Sequence, residues 1–378
     1  MKTSRDLPNA PAASPNALPT DLIGREFSPN PGYLNTASHG LLPARAARRL
    51  REAVEDLTVG RIDQEALIEE VEAARVLWAR LVGVAPERVA LGSTVAAQVS
   101  VVAAALPRGA EVLTVEGEFS SVPTPFLHAD DLRLRVVPPA GLADSVGPDT
   151  ALVAVSAAQS ADGRIADLAA VREAARAHGA RILVDATQAA GWMDYDAEAD
   201  DFVVCGTYKW LLGPRGASFM VVPPDGGGLR PVQANWFAGA DRWESCYGPV
   251  RDLAPTAARF DLAPAYLPWL GTARALEVIE EVGIDAIRAH DLALAERFRS
   301  GLERLGRPAA PESAGSPIVS VPGAGAAVEE LARAGVSVAA RDGGLRASFH
   351  LYTTEADVDR ALNALEDTSV DTPIDVPG

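Results

Sequence analysis

Lys209 is the residue of this sequence whose type and setting most favour covalent chemistry. The chain of 378 residues has 34 basic side chains, and 32 of them are arginines because Lys2 and Lys209 are its only lysines. An arginine stays protonated in proteins, whereas a lysine amine with a lowered pKa can attack a carbonyl group. Aromatic neighbours and the glycine-rich turn at residues 213–216 favour such a lowered pKa. Lys209 is therefore predicted to form a Schiff base, although chance survival of one lysine would give the same count.

Two further polar motifs follow apolar segments of the kind that form buried strands. Asp185 ends the segment RILVD, with Gln188 three residues later. A carboxylate there either needs a cationic or hydrogen-bonding partner or caps a helix at residues 186–190. Gly92-Ser93-Thr94 precedes a helical pattern, so it is predicted either to bind a phosphate or only to cap that helix.

Arg346 lies in an alternating segment, residues 345–352, near the end of the chain. Strand alternation places it on one face with Ser348, His350 and Tyr352, while the apolar residues pack on the other face. An arginine on a strand either clamps a carboxylate with two hydrogen bonds or forms an ordinary ion pair.

The elements that must position these motifs are short strands alternating with helices. Near-continuous apolar segments such as ALVAVS and ARILVDA are typical of parallel strands covered on both faces. Strands are predicted at residues 88–91, 111–115, 133–137, 151–155, 181–185, 202–205 and 217–222. Helices are predicted at residues 60–82, 95–105 and 165–177. The sequence therefore predicts a doubly wound α/β domain with a mostly parallel sheet of seven strands, and a ligand at the strand carboxyl ends.

A smaller C-terminal α+β domain is predicted after the loop-rich residues 223–264. Helical patterns cover residues 268–305 and 327–334, strands are predicted at 317–321, 336–339 and 345–351, and a Thr354–Asp357 capping box opens the last helix. The predicted organisation is a disordered leader at 1–20, a large domain at 21–265, a small domain at 266–367 and a tail at 368–378. The first residues of the large domain are expected to pack with the small one.

The composition is that of a soluble globular protein, with 48% hydrophobic and 22% charged residues. A net charge of −17 argues against nucleic-acid or anionic-membrane partners. Two cysteines and five scattered histidines give no disulfide framework and no metal-ligand spacing, so no metal is predicted. The chain has neither an apolar run of roughly 20 residues nor the apolar segment of a signal peptide, so a cytoplasmic enzyme is predicted.

In the order of these motifs, the chain resembles the class V aminotransferase group of fold type I pyridoxal phosphate (PLP) enzymes. That group includes cysteine desulfurases, selenocysteine lyases, kynureninases and isopenicillin N epimerases. The resemblance covers about residues 33–365 and is most specific at the segment VDATQA (184–189), followed by the Tyr208-Lys209 pair. It implies that Lys209 holds the cofactor and moves protons, that Asp185 keeps the pyridine nitrogen protonated, and that Gln188 donates to the ring oxygen.

The resemblance assigns further residues to the cofactor and to an amino-acid substrate. Phe119 matches the residue that stacks on the ring, and Arg346 and Ser160 match positions at the substrate carboxylate. The other residues predicted to bind the cofactor are Ser93, Thr94, Thr207, Tyr208 and Trp236. In a homodimer with shared active sites, Trp236 would reach the phosphate of the other subunit. The other residues predicted to face the substrate are Asn35, His39 and His350.

Two departures from the family pattern shape the predicted reaction. Cysteine desulfurases carry a persulfide cysteine just before the carboxylate-binding arginine, but that loop is Arg341-Asp342-Gly343-Gly344 here. Pro264 stands where relatives often have a threonine whose hydroxyl contacts the phosphate. The predicted reaction is β-elimination of a thiol or sulfide from a cysteine S-conjugate or sulfoxide without a persulfide. An aminotransferase and a decarboxylating deaminase are the alternatives.

Two interpretations come from other classes of protein. Gly323-Ala324-Gly325 follows a predicted strand and is similar to a dinucleotide-binding turn, but Val328 occupies the third glycine position and no acidic residue ends the next strand. A catalytically silent binding protein with the PLP-enzyme fold is the other alternative. The presence of both Lys209 and Asp185 argues against it.

Overall fold

The computed structural model describes residues 17–367. The predicted tail at 368–378 and residues 1–16 of the predicted leader lie outside the described residues. The last leader residue, Thr20, already begins the first helix, α1 (Thr20–Glu26). No helix within the described range is long and apolar enough to cross a membrane.

The large domain is built on a seven-stranded sheet with the order β1-β7-β6-β5-β4-β2-β3. Its strands are β1 (Val89–Gly92), β2 (Glu111–Val115), β3 (Arg133–Val137), β4 (Thr150–Ser156), β5 (Arg181–Asp185), β6 (Phe202–Gly206) and β7 (Ser218–Val221). Neighbours from β3 to β6 pair in parallel, whereas β7 runs antiparallel to both β6 and β1. The predicted mostly parallel seven-stranded sheet is confirmed, and the carboxyl ends of six strands meet at one edge.

Both faces of the inner strands of this sheet are buried, which explains their near-continuous apolar sequences. In β5, Ile182 and Val184 belong to the core on one face, while Leu183 belongs to the core on the other. In β6, Val203 and Val204 divide between the two faces in the same way. Since neither face meets water, alternation of polar and apolar residues is absent, as expected for parallel strands between helices.

Six helices of the large-sheet region follow in chain order after α1. They are α2 (Ala44–Val59), α3 (Gln64–Leu81), α4 (Val95–Ala103), α5 (Pro123–Leu127), α6 (Leu168–His178) and α7 (Tyr266–Val282). Helix α2 was not predicted, although its apolar residues lie on one side; only Ala46 and Ala53 of this arginine-rich helix are buried. Helix α7, placed by the prediction in the small domain, contributes Trp269 to the core of the large sheet.

The C-terminal part of the chain forms a small α+β unit, as predicted. Its antiparallel sheet has the order β8-β10-β9, with β8 (Ile318–Val321), β9 (Ala339–Arg341) and β10 (Gly344–Ser348). Its helices are α8 (Ile284–Arg304), α9 (Ala327–Arg333) and α10 (Glu355–Asp367). Leu34 packs into the core of this unit beside Phe298 and Phe349, so the N-terminal segment does contact the small domain.

Two strand boundaries in this unit differ from the prediction. The strand predicted at residues 336–339 begins only at Ala339, because Ser337 instead forms a bridge with Tyr33 of the N-terminal segment. Strand β10 ends at Ser348 rather than at residue 351, and the chain turns with a hydrogen bond from Thr353 N to His350 O. Strand alternation therefore does not extend to His350.

The predicted capping box at the start of α10 is confirmed. The Thr354 main-chain N–H donates to Asp357 Oδ2 at 2.8 Å, and the Asp357 N–H donates to Thr354 Oγ1 at 3.3 Å. Gly32 N–H donates to the other oxygen of Asp357 at 2.6 Å, which attaches the N-terminal segment to this helix.

Candidate active site

Lys209 lies in the tight loop between β6 and β7, beyond the carboxyl end of β6. Leu212 N–H donates to the Lys209 carbonyl at 3.1 Å, and Leu212 adopts a left-handed conformation with φ 58°. A left-handed non-glycine residue costs conformational energy and is held by its surroundings. The N-terminal segment closes over this loop, because a Cβ on Gly40 would lie 1.9 Å from the Lys209 carbonyl oxygen. The loop is thus held both by its own hydrogen bond and by the N-terminal segment packed against it.

Lys209 projects into a cavity of about 270 Å³ at the carboxyl edge of the large sheet. Residues that follow five of the strands reach it, as the doubly wound topology predicts. The cavity is lined by Ser93, Thr94, Val95, Phe119, Ser121, Ser156, Ser160, Asp185, Thr187, Gln188, Gly206, Tyr208, Lys209, Arg215, Gly216 and Ala217. Eight residues predicted for the site are therefore brought together: Ser93, Thr94, Phe119, Ser160, Asp185, Gln188, Tyr208 and Lys209.

Burial shifts the pKa values of Lys209 and Asp185 toward each other. Each side chain is only 4% exposed. Burial lowers the pKa of the Lys209 amine to about 8, although the Asp185 carboxylate acts in the opposite direction. Burial also raises the pKa of Asp185 to about 6, against a hydrogen bond from Thr187 N–H to Asp185 Oδ1 at 2.8 Å. Residues 186–190 form a turn and no helix, so Asp185 is not a helix cap.

The side-chain amide of Gln188 has a defined orientation. Its Oε1 accepts a hydrogen bond from the indole N–H of Trp210 at 2.7 Å. Its Nε2 donates to Ala37 O at 3.0 Å and to Ser160 Oγ at 2.9 Å. The amide therefore presents its donor group toward Ser160 and the cavity.

Arg346 is a buried cation without a carboxylate partner. Three arginines of the described chain are buried, and Arg75 and Arg88 pair with Asp261 and Glu198. Arg346 is 1% exposed and pairs with no acid among residues 17–367. Burial lowers its pKa to about 9, and the nearby Arg341 charge adds to this effect. A buried charge is costly unless it is paired, so this position favours an anionic ligand.

The contacts of Arg346 place it beside the cavity. It donates to the Ser160 main-chain oxygen, to Ser160 Oγ at 3.2 Å and to Ser38 Oγ at 2.6 Å. Its Nε is buried without a partner, and so is Oδ1 of Asn35. Asn35 forms a bridge with Ser348 on the strand that carries Arg346. Ser160 lines the cavity, so it connects the guanidinium group to the space in front of Lys209.

Phe119 covers the Lys209 amine and is itself held by Glu118. The Lys209 Nζ lies 5.0 Å from the centroid of the Phe119 ring. Glu118 accepts hydrogen bonds from Phe119 N at 2.7 Å, Ser156 N at 2.7 Å and Gln159 Nε2 at 2.9 Å. The sequence reasoning passed over Glu118, whose only signal was its place immediately before the aromatic residue.

The N-terminus of α4 and Arg215 form a positive part of the cavity wall. Thr94 caps α4 by accepting from Ala97 N–H at 3.3 Å, and Ser93 precedes it. Free N–H groups at a helix start favour a phosphate. The Arg215 guanidinium lies 3.9 Å from the Tyr208 ring centroid and also lines the cavity. Arg215 has no predicted role, although it lies in the glycine-rich turn at residues 213–216.

Besides Arg346 and Asn35, four residues predicted for the cofactor or the substrate do not line the cavity. Thr207 is fully buried, and its hydroxyl hydrogen bonds close the loop through Pro214 O and Ala217 O. His350 is also fully buried, with one ring nitrogen 2.9 Å from Asp291 Oδ2 and the other 3.0 Å from Trp210 O. The expected substrate contact of His350 is therefore corrected: both ring nitrogens are already bonded, because β10 ends before the residue.

The other two predicted residues lie nearer the surface. His39 is exposed, and its ring centroid lies 6.0 Å from that of Tyr208, which lines the cavity. Burial lowers the pKa of His39, and the charge of Arg215 lowers it further. Trp236 stacks on Trp243 with ring centroids 5.7 Å apart and does not line this cavity.

The family model described as aminotransferase class V matches residues 58–361. The chain belongs to this family. It is 32% identical to isopenicillin N epimerase of Streptomyces clavuligerus, over 88% of this chain and 94% of that protein. It is 26% identical to a probable cysteine desulfurase of Aeropyrum pernix, over 89% and 93% of the two chains. The solved structure of the cystine C-S lyase C-DES with cysteine persulfide has the same fold, with a TM-score of 0.81 at 23% identity over 89% and 98%.

Pyridoxal phosphate is the cofactor of this class V protein, and the cavity has a suitable group for each polar part of it. Lys209 supplies an amine whose pKa of about 8 leaves roughly a tenth of it neutral at pH 7, far more than for an ordinary lysine. Asp185 supplies a buried carboxylate for a protonated ring nitrogen, and Gln188 supplies an Nε2 group that would donate to the ring oxygen in place of the Ser160 hydroxyl. The helix N-terminus at Thr94 and the Arg215 guanidinium supply positive charge for a phosphate.

Proposed function

We propose that this class V protein is a PLP-dependent lyase that releases a thiol or sulfide from a cysteine-derived amino acid by β-elimination. When bound, PLP supplies an electron sink for the charge that develops at Cα. Arg346 binds the substrate carboxylate, and Lys209 removes the Cα proton. The electron pair of the broken Cα–H bond forms the Cα–Cβ double bond as the Cβ–S bond breaks, and the sulfur leaves as a thiolate. The other product, 2-aminoacrylate, is hydrolysed to pyruvate and ammonia.

The observation that supports this proposal is that a base, Lys209, lies near a buried cation, Arg346, that has no carboxylate partner among the described residues. The Lys209 amine has a pKa near 8 and lies in the cavity that Ser160 shares with Arg346. A carboxylate at Arg346 would place the amino-acid Cα between these two groups. Holding the carboxylate at an arginine favours loss of the Cα proton over loss of carbon dioxide.

The two cysteines support a reaction without a protein-bound persulfide. Cys205 is fully buried below Asp185, and burial raises the pKa of its thiol well above the ordinary range. The nucleophile in sulfur chemistry is the thiolate, so a thiol in this state is inert. Cys246 is exposed but does not line the cavity.

Epimerisation at Cα is a second candidate, and the 32% identity to isopenicillin N epimerase favours it. It begins with the same loss of the Cα proton but returns a proton to the opposite face. Both reactions therefore use Lys209 and Arg346 in the same roles. They differ in the leaving group at Cβ and in the fate of the proton.

One experiment distinguishes the two candidates. The PLP-loaded protein is incubated in D₂O with L-cystine, S-methylcysteine or their sulfoxides, and with L-amino acids that have no leaving group at Cβ. The proposed lyase releases pyruvate and ammonia in equal amounts from the sulfur compounds, together with one equivalent of methanethiol from S-methylcysteine, of cysteine persulfide from L-cystine, or of a sulfenic acid from a sulfoxide. Deuterium at Cα with loss of optical activity and no pyruvate would replace the lyase by an epimerase. A keto acid that retains the side chain would indicate transamination.

Two further features remain predictions. A homodimer would bring the partner subunit's Trp236 toward the phosphate, at a position where Pro264 cannot donate a hydroxyl proton. A cytoplasmic location also remains a prediction. Sedimentation of the PLP-loaded protein tests the first, because a monomer with full affinity for PLP would contradict shared active sites.

A further inference from the structure

We infer that Trp210 is a positioning residue that fixes which end of the Gln188 amide faces the cofactor. The inference rests on the proposed function, since it concerns the same PLP site. It is independent of whether the protein acts as a lyase or an epimerase, because both need the same ring electronics.

The hydrogen bonds of Gln188 permit one orientation of its amide. The indole N–H of Trp210 is a donor only, so the atom 2.7 Å from it must be the amide oxygen. A rotated amide would place its NH₂ group against the indole N–H, with two donors facing each other. Gln188 is 3% exposed, so water does not compensate for such a contact. Trp210 therefore keeps Nε2 directed to Ala37 O and Ser160 Oγ.

Trp210 is itself held from the side of the small domain. A carbonyl oxygen only accepts, so the His350 ring nitrogen 3.0 Å from Trp210 O must carry a proton. The other ring nitrogen of His350 contacts Asp291 Oδ2 at 2.9 Å, and both residues are fully buried. The packing of Gly191 leaves no room for a shift, because a Cβ there would lie 2.6 Å from Trp210 O. His350 thus acts through Trp210, which accounts for its position away from the cavity.

The orientation of Gln188 determines the charge state of the cofactor ring oxygen. A donor directed at this oxygen favours its deprotonated form and so lowers the pKa of the bound cofactor. Without the Trp210 N–H, only Ala37 O and Ser160 Oγ orient the amide, and the fraction of amide that rotates presents its own oxygen, which repels an anionic ring oxygen. Loss of the Trp210 contact should therefore raise the pH midpoint of the visible absorption change and weaken PLP binding.

Trp192 provides a matched control for Trp210. Both tryptophans are fully buried, and both donate an indole N–H to Gln188 at 2.7 Å. Trp192 donates to the main-chain oxygen of Gln188, whereas Trp210 donates to the side-chain oxygen. Each Trp→Phe change removes the same volume and one N–H···O bond. Only the change at Trp210 removes a bond that orients the side-chain amide.

The test measures the Kd for PLP and the pH midpoint of the cofactor's visible band in purified variants. Trp210→Phe should raise the Kd about 5- to 30-fold and raise the midpoint by on the order of one pH unit. Trp192→Phe should leave the midpoint unchanged, within about 0.2 unit. In a Gln188→Ala background, Trp210→Phe should have no further effect on the midpoint. An equal shift in Trp192→Phe, or a shift that persists without Gln188, would overturn the inference.

A second variant answers the question if Trp210→Phe does not fold. Gln188→Glu keeps an acceptor for the Trp210 N–H and replaces Nε2 by an oxygen, so it should raise the midpoint at least as much. An unchanged midpoint in this variant would mean that Nε2 does not face the cofactor. Failure of the wild-type protein to take up PLP would refute the proposed function itself. Normal PLP uptake with the same pH midpoint in all variants would instead refute only the role of Trp210.

Discussion

Replacing Arg346 by methionine should stabilise the substrate-free protein and at the same time greatly reduce its activity. The Arg346 guanidinium is buried and has no carboxylate partner among the described residues. Its charge therefore destabilises the folded state, and a neutral side chain of similar length removes that cost. Substrate binding depends on the same charge, so stability and activity should change in opposite directions.

The size of the effect follows from the pKa of Arg346. Its fall from 12.5 to about 9 corresponds to a cost of about 5 kcal/mol for the charged form in the folded protein. Arg346 is a base whose pKa is lower in the folded than in the unfolded protein, so its charge destabilises the folded state, and this cost is fully present below pH about 9. The assay is therefore run at pH 7.5. Losing the donors to Ser160 and Ser38 costs roughly 1–3 kcal/mol. Arg346→Met should therefore raise the free energy of unfolding by about 2–4 kcal/mol.

Urea unfolding of the PLP-loaded protein without substrate measures this change, with Arg75→Met as the matched control. Arg75 is also buried but pairs with Asp261 at 2.6 Å, so its loss leaves a buried carboxylate and should cost about 3–5 kcal/mol. The kcat/KM of Arg346→Met should fall about 30- to 5,000-fold. Destabilisation of Arg346→Met as large as that of Arg75→Met would refute the claim that Arg346 lacks a partner.

Three further predictions concern Lys209, Arg215 and the cysteines. The rate of PLP uptake should rise with pH with a midpoint near 8, because about half of the Lys209 amine is neutral at that pH, against about 0.3% of an ordinary lysine. Stopped-flow absorbance measures this rate, and a midpoint near 10.5 would contradict the prediction. Arg215→Gln should raise the Kd for PLP about 10- to 100-fold through loss of a charged phosphate contact, whereas Arg230→Gln on the exposed surface should not change it. Turnover with Cys205→Ala and Cys246→Ser combined should stay within about two-fold of wild type, and its abolition in a folded variant would indicate a persulfide.

The sheet was predictable from the sequence because its physical cause is local. Strands buried on both faces have to be apolar at nearly every position, and β2 and β5 have the predicted boundaries. The cavity followed from the topology, since polar residues at the ends of parallel strands meet at one edge. This reasoning predicts Asp185 at the cavity, whereas Lys209 is predicted from its residue type; both line the cavity.

The parts that were missed depend on contacts between distant segments. His350 was expected at the substrate by extending strand alternation, but the chain turns after Ser348 and Asp291 of α8 binds the ring. The unpaired state of Arg346 is a property of its surroundings in three dimensions, since the sequence offers many acids as partners. Arg215 lies in the glycine-rich turn that follows Lys209, but only the packing of its guanidinium on Tyr208 shows that it reaches the cavity.

The attachment of the N-terminal segment to β10 determines the order in which the site can assemble during synthesis. Ala37 N–H donates to Ser348 Oγ across a separation of 311 residues, and Arg346 reaches Ser38 across 308. The lining of the cofactor cavity is complete in the chain at Ala217, so the ribosome delivers Arg346 roughly 6–25 s later at the usual rate of about 5–20 residues per second. All residues that line the cofactor cavity are therefore synthesised well before the arginine of the substrate clamp, which requires a nearly finished chain.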